Sequence, residues 1–307
     1  MRFSFFSIGA GVKRLAGALV ALAVAFSCET KVDIPDEALP PKPVLFGKIS
    51  PADSVKLFLA RTASLEEKSQ DYELLLCNLT PVLTENGVVA DTLQPCEIDP
   101  DSYHDKLKKA YYTSGYPVIQ GNVYGIRVNT PYGTLEAETG IPSLPRAEIE
   151  SVETAQNIYG DMIIIDLRID DPPGEDNYYV FFGRIPQDSI YGEPQYLWPY
   201  TDIVDPLIEG DEVTEAEGKY CFSDRLFDGR EVVIKLYFYK PFDYDGPILF
   251  HKRSIDENFY AYYRFVVSAW GDWDISGITT DALLPEANVK GGYGWWCGYN
   301  EIVDTLN

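Results

Sequence analysis

The sequence predicts an all-β protein: two Ig-like β-sandwich domains, with one short helix in the second. Three observations predict it. Short runs rich in β-branched and aromatic residues recur between turn signals, as in sandwiches. Asn-Gly and Pro-x-Gly turns sit between such runs. Only one segment has the 3.6-residue period of a helix. Apolar residues make up 46% of the 307, with 22 Tyr and 15 Phe, enough to fill two cores.

The N-terminus reads as an export signal over residues 1–27. Arg2, Lys13 and Arg14 give positive charge, and Leu15 to Phe26 is an apolar run. That run is too short for a transmembrane span, which needs about 20 apolar residues. Ala25-Phe26-Ser27-Cys28 places a small residue before a cysteine, the pattern of lipoprotein processing, so Cys28 is the expected lipidation site and first mature residue. Residues 28–44 hold four prolines and several acids and read as an extended tether.

Strand signals begin at Leu45. Ser54 to Arg61 alternates imperfectly, and Tyr72 to Leu83 is apolar and β-rich. Asn86-Gly87 then predicts a type I′ hairpin, because both central residues need φ > 0. Val123 to Asn129 and Thr134 to Thr139 flank Pro131-Tyr132-Gly133, a second hairpin. Gly140 to Pro145 breaks the pattern with two prolines, so a domain boundary is expected there, between 45–142 and 143–307. In the second half, Glu148 to Ala155, Met162 to Ile169, Tyr178 to Ile185 and Val232 to Tyr239 read as strands. Ser254-Ile-Asp-Glu257 reads as a capping box opening a helix over 254–268. Gly291 to Val303 reads as a closing strand.

Charge excludes one class of partner. Residues 1–27 carry three bases and no acids, so the mature chain has 25 − 3 = 22 Lys+Arg against 48 Asp+Glu, a net charge of −26. Such a surface repels phosphate backbones, and no nucleic-acid partner is expected. Attachment to the membrane rests on the N-terminal lipid.

No catalytic constellation emerges. Only His104 and His251 could serve as imidazole bases, and both read as surface residues. No cofactor motif is present, and no metal site is expected. Acids cluster around one turn (Asp166, Asp170, Asp171, Glu175, Asp176) and in a second set (Asp202, Asp205, Glu209, Asp211). Neither has the spaced frame of a calcium loop, so solvated acidic turns are expected. Trp270, Trp273, Trp295 and Trp296 are candidates for stacking a flat ligand. Adjacent Trp295 and Trp296 on a strand point to opposite faces, so one lies outside the sandwich core.

The mature chain has four further cysteines, Cys77, Cys96, Cys221 and Cys297, an even number that favours disulfides in an exported protein. A two-residue Asn86-Gly87 loop pairs Glu85 with Val88, so paired numbers sum to 173. Cys77 and Cys96 share that sum and would face each other within disulfide reach. Pro81 lacks the amide its position calls for, and a bulge there would shift the register and forbid the bond. Cys221–Cys297 follows by elimination.

Several segments together resemble the Bacteroidetes cell-envelope lipoproteins grouped as domain of unknown function 4249. They are Ser27-Cys28-Glu29, Leu59-Ala60-Arg61-Thr62, Ile126 to Gly133, Asp170 to Tyr179, Phe222 to Gly229 and Ala287 to Gly294. The stretch Pro100 to Tyr111 and the four later cysteines depart from the family's pattern. The resemblance implies a lipid-anchored outer-membrane protein encoded near TonB-dependent transporters, and it brings no catalytic residues. The expected function is a non-enzymatic accessory or binding component of a TonB-dependent uptake system. The alternative is a glycan-binding or adhesion lipoprotein of the cell surface. A glycan binder would show exposed aromatics aligned in a groove.

Overall fold

The computed structural model describes residues 40–307, apart from 64–73, 97–109, 158–159, 191–192, 198, 204–213, 217–218, 242–243 and 272–286. The expected signal, Cys28 and most of the tether therefore lie outside the described residues, as do His104 and Trp273. The fold is all-β, with one helix among the described residues.

Its spine is a ten-stranded sheet, and most of its strands come from opposite ends of the chain. In chain order these are β1 (Pro43–Ser50), β2 (Asp53–Arg61), β5 (Gln94–Pro95), β6 (Tyr111–Ser114), β11 (Tyr178–Ile190), β14 (Thr214–Ala216), β15 (Lys219–Ser223), β17 (Ile248–Ile255) and β18 (Tyr293–Leu306). The spatial order is β14-β15-β11-β17-β18-β1-β2-β6-β5, and β12 (Glu193–Leu197) pairs with β11 off this path. The β1–β18 contact is parallel, so the C-terminal strand joins the N-terminal one.

Two four-stranded sheets cover one face. The first contains β3 (Val82–Glu85), β4 (Val88–Thr92), β7 (Val123–Thr130) and β8 (Gly133–Gly140). The second contains β9 (Ala147–Asn157), β10 (Gly160–Asp170), β13 (Tyr200–Ile203) and β16 (Glu231–Tyr239). Period-2 alternation decides what each strand buries. Leu45, Leu57 and Leu59 of the long sheet meet Tyr124, Ile126 and Leu135 in one core. Phe181, Phe222 and Phe250 meet Ile165, Leu167 and Leu236 in the other.

The boundary expected at Gly140 to Pro145 falls between these two cores, but the chain does not divide there. Strand β18, assigned to the second domain, puts Trp296 into the first core and Leu306 into the second. Residues 40–307 form one compact unit. Gly47 shows how closely β18 is fitted, since a Cβ there would lie 2.5 Å from the Trp296 ring.

The other face of the long sheet carries the helix α1 (Glu257–Gly271). Phe259 and Tyr263 of α1 pack on Val180, Ile255, Trp295 and Tyr299, a third apolar cluster. Among the described residues no helix is long and apolar enough to cross a membrane.

Several local expectations are corrected. The helix starts after Asp256, whose carboxylate accepts the Phe259 amide at 3.0 Å. Ser254 is not its cap: it lies buried in β17. Among its described residues the run from Tyr72 to Leu83 yields an isolated bridge of Leu75 to Ala60 and the short β3, which begins at Val82.

The register argument for Cys77–Cys96 fails, and strand order separates Cys221 from Cys297. Glu85 faces Val88 and Thr84 faces Val89 as predicted, but a bulge between Leu83 and Thr84 makes Val82 face Thr92 rather than Asp91. Cys77 precedes β3. Cys96 follows β5, which has crossed to the long sheet and lies beside β6. Neither cysteine sits in the hairpin ladder, so the argument that set them opposite each other does not hold. Cys221 and Cys297 share a cluster, but β11 and β17 separate their strands. Three strand spacings put them at least ~14 Å apart, whereas a disulfide spans about 4.4–6.8 Å between Cα atoms.

Candidate functional site

The outer face of the long sheet holds an open groove of about 640 Å³, within the size range of small-molecule sites. Its floor is written by alternation on three neighbouring strands. Even positions of β1 and β2 face outward here, because Leu45, Ile49, Val55, Leu57 and Leu59 are taken by the core. On β18 the odd positions face outward.

Register converts these positions into two rows. Trp295 pairs with Phe46, Phe46 with Phe58, and Phe58 with Tyr111. Four aromatic residues from β18, β1, β2 and β6 thus lie in one line across the sheet, spanning three strand spacings or ~14 Å. Phe46 stacks on Trp295 with centroids 5.7 Å apart, and Phe58 leans on Tyr111 at 4.9 Å. Phe46 and Tyr111 remain 39% and 43% exposed, so this part of the row is presented to solvent, while Trp295, at 5%, is buried at its end.

The next row is basic. Cys297 pairs with Lys48, and Lys48 pairs with Lys56. Like charges directly opposed on an antiparallel pair are unfavourable. Arg184, Lys219 and Arg253 also line the groove, and no carboxylate lines it among the described residues. This is five cations in one concavity of a chain whose formal charge is −23.

Their environments differ. Lys56 is paired with Asp53 at 2.8 Å. Arg253 is held between the Phe182 and Tyr299 rings, at 4.7 and 4.6 Å, and pairs with Glu301. Glu301 also meets His251 Nδ1 at 2.9 Å, and its carboxyl is lowered to about 2 by His251 and Arg253 against the opposing cost of burial. His251 is therefore a buried member of this network, not the surface residue expected. Burial pushes its imidazole below the ordinary value, and its ring stacks on Phe182. Lys48 is the exception: among the described residues it has no hydrogen-bond or ion-pair partner. Desolvation, with Arg253, Lys56 and Arg184 nearby, lowers its ammonium to about 8.

Among the described residues, Trp295 is the one tryptophan expected to stack a ligand that lines this groove. Trp296, on the opposite face, is fully buried and donates its indole N–H to the Tyr124 carbonyl at 3.0 Å. The Trp270 side chain lies outside the described residues, like Trp273. The sequence reading missed the two rows. Their trace is Phe46-Gly-Lys48 facing Lys56-Leu-Phe58, visible only once the β1–β2 register is known.

Three of the segments that carry the family resemblance lie elsewhere and act as latches. The turn Asp171 to Asn177 meets the turn Asp224 to Gly229. Asp171 accepts the Tyr179 hydroxyl at 2.7 Å and the Gly229 amide at 3.0 Å. Asp224 accepts the Asn177 amide at 2.8 Å, and Asp228 accepts that of Gly174 at 2.8 Å. Asp171 is thus buried, not the solvated acid expected. Burial pushes the carboxyls of Asp171 and Asp224 up, and Asp228 adds like-charge repulsion to both. With ligand atoms within 4.8 Å of one another, this trio is the arrangement among the described residues that could hold a cation. Asp166 instead pairs with Lys235, and Asp170 lies 4.0 Å from Arg146.

The segment Ala287 to Gly294 latches β18. Asn288 accepts the Trp296 amide at 3.0 Å and donates to the Trp296 carbonyl at 2.6 Å, imitating a strand. Lys290 exchanges both backbone bonds with Glu136 of β8. Gly291, at φ +84°, is required because a Cβ would lie 2.0 Å from the Thr134 carbonyl oxygen.

No curated protein matches the chain. Among solved structures, BcpA*, the major pilin subunit of Bacillus cereus, is similar at 12% identity over 70% of this chain, with a TM-score of 0.18. That match spans 64% of the pilin subunit's length. The yeast delta-COP-I mu-homology domain complexed with a Dsl1 peptide is similar at 10% identity over 70% of this chain and 80% of that one, with a TM-score of 0.18. At those TM-scores neither likeness bears on the fold. The family comparison is decisive: the family described as Domain of unknown function (DUF4249) matches residues 29–302, and the chain belongs to it.

Proposed function

We propose that this chain is a non-enzymatic, lipid-anchored capture protein of the cell envelope, serving a TonB-dependent uptake system of the outer membrane. The observation that carries the reading is the groove. It is concave, of ligand size, and lined by an aromatic row beside a basic row. Its two histidine-network partners, Glu301 and Arg253, neutralise one another, which suits binding rather than proton transfer. The export signal expected over residues 1–27, directly ahead of Cys28, supports the anchor. The exposed hairpin tip, with Val88 and Val89 at 70% and 68% exposure, supports contact with a membrane partner.

The glycan-binding alternative is favoured by one specific observation, the alignment of Trp295, Phe46, Phe58 and Tyr111 in the groove. The two readings merge if the captured ligand is a sugar.

Two experiments test the proposal. Cys28→Ala should release the protein from the membrane fraction, and retention in the detergent phase would overturn the anchor. Affinity purification of the native protein from detergent-solubilised outer membrane should bring down a β-barrel transporter. Recovery of the lipoprotein alone would overturn the uptake role.

A further inference from the structure

The groove's chemistry is narrower than capture in general. Phe46, Phe58 and Tyr111 in one cross-strand row, backed by the buried Trp295, offer stacking to a flat or ring-shaped body about as long as two or three rings. Immediately beside it, the facing pair Lys48 and Lys56 places two ammonium groups on one rung, a placement that costs the empty protein stability. Residues that break a local rule in this way mark functional sites. Arg253 stands nearby, its orientation fixed by the Phe182 and Tyr299 rings and by Glu301. The mature chain carries more than twice as many acids as bases, yet none of its described acids lines the groove, and Asp53, the acid that acts on Lys48, is taken by Lys56 at 2.8 Å.

We propose that the groove binds a ligand made of rings bearing carboxylate or sulfate groups, with the rings lying along Phe46, Phe58 and Tyr111 and an anionic group meeting the Lys48 ammonium. This rests on the capture reading and specifies its ligand. An arriving anion supplies the partner Lys48 lacks among the described residues and screens it from Lys56, Arg184 and Arg253. Binding therefore relieves a repulsion built into the empty groove. The lowered Lys48 value follows the same geometry, and an anion at the ammonium should raise it.

Two sources share this chemistry, acidic oligosaccharides and aromatic acids, and the test separates them. Calorimetry of the full mature chain would use trigalacturonate, its methyl ester, 1-anilinonaphthalene-8-sulfonate and the neutral N-phenyl-1-naphthylamine. The expected result is that one charged probe binds at least tenfold more tightly than its neutral partner. Preference for trigalacturonate assigns acidic sugars, and preference for the sulfonate assigns aromatic acids. Lys48→Gln should abolish the preference while leaving thermal unfolding unimpaired. Phe46→Ala should weaken charged and neutral probes alike. Equal affinity for charged and neutral partners, a preference that survives Lys48→Gln, or no binding of either charged probe would each overturn the proposal. Copurification with a transporter would still stand in those cases, so failure of the ligand class is distinct from failure of the capture reading.

Discussion

Trp295 and Trp296 are consecutive on β18 and serve opposite faces of the long sheet: Trp295 stacks on Phe46 in the groove, and Trp296 fills the first core against Gly47. Trp296→Ala should destabilise the protein by about 3–5 kcal/mol, the range for deleting a buried large aromatic. Gly47→Ala should cost about 1–3 kcal/mol, because its new Cβ overpacks the same ring. Because these two residues touch, the double variant should be less destabilised than the sum of the single ones. Denaturant melts of the three variants check this. Additive losses would show that Gly47 and Trp296 do not share the contact.

Asp256 joins three elements. It caps α1 at Phe259, accepts the Gly298 amide of β18 at 3.2 Å and accepts the Thr139 hydroxyl of β8 at 2.5 Å. Asp256→Ala removes a cap, worth about 1 kcal/mol, and orphans buried donors at about 1–3 kcal/mol each. A loss above about 2 kcal/mol is expected. Ser254→Ala, the damaging change if Ser254 were the cap, should cost less, and thermal melts of both variants rank them.

Lys48 makes stability depend on pH in a defined direction. Its folded value of about 8 lies below the 10.5 of an unperturbed lysine, because desolvation, Arg253, Lys56 and Arg184 outweigh the opposing Asp53. Between about pH 8 and 10.5 the unfolded chain keeps a proton that the folded chain has released. This group's contribution to stability therefore rises with pH across that window. Lys48→Met should raise the unfolding midpoint at pH 7 and flatten the rise toward pH 10. Unfolding curves at pH 7 and 9.5 measure both effects, and a lowered midpoint at pH 7 would show that Lys48 stabilises the fold.

Cys221 and Cys297 should remain separate thiols. Both are buried on the outer face, and burial pushes both thiols well above the ordinary value. Thiolate, the reactive form, is thereby suppressed. A maleimide reagent should modify neither in the native protein and both after denaturation. Recovery of a Cys221–Cys297 peptide under non-reducing conditions would contradict the strand order.

The sequence by itself determined several of the strands, two hairpin turns and the alternation of faces, because these depend on residues adjacent in the chain, whereas β5, β6, β15 and β17 carried no local pattern that marked them. Asn86-Gly87, Pro131 to Gly133 and the opposed faces of Trp295 and Trp296 were legible for that reason. The sequence also marked the segments that carry the family resemblance, without revealing that two of them meet to bury Asp171 and Asp224. Only the tertiary structure decided which strands are neighbours. The parallel contact of β1 with β18 joins residues some 250 positions apart, and no local pattern encodes it. That contact unites the two expected domains, and with the β1–β2 and β2–β6 registers it assembles the aromatic and basic rows. A one-residue bulge undid the Cys77–Cys96 register for a related reason. A periodicity argument carries over only as far as the ladder stays regular, and one inserted residue changes every pairing beyond it.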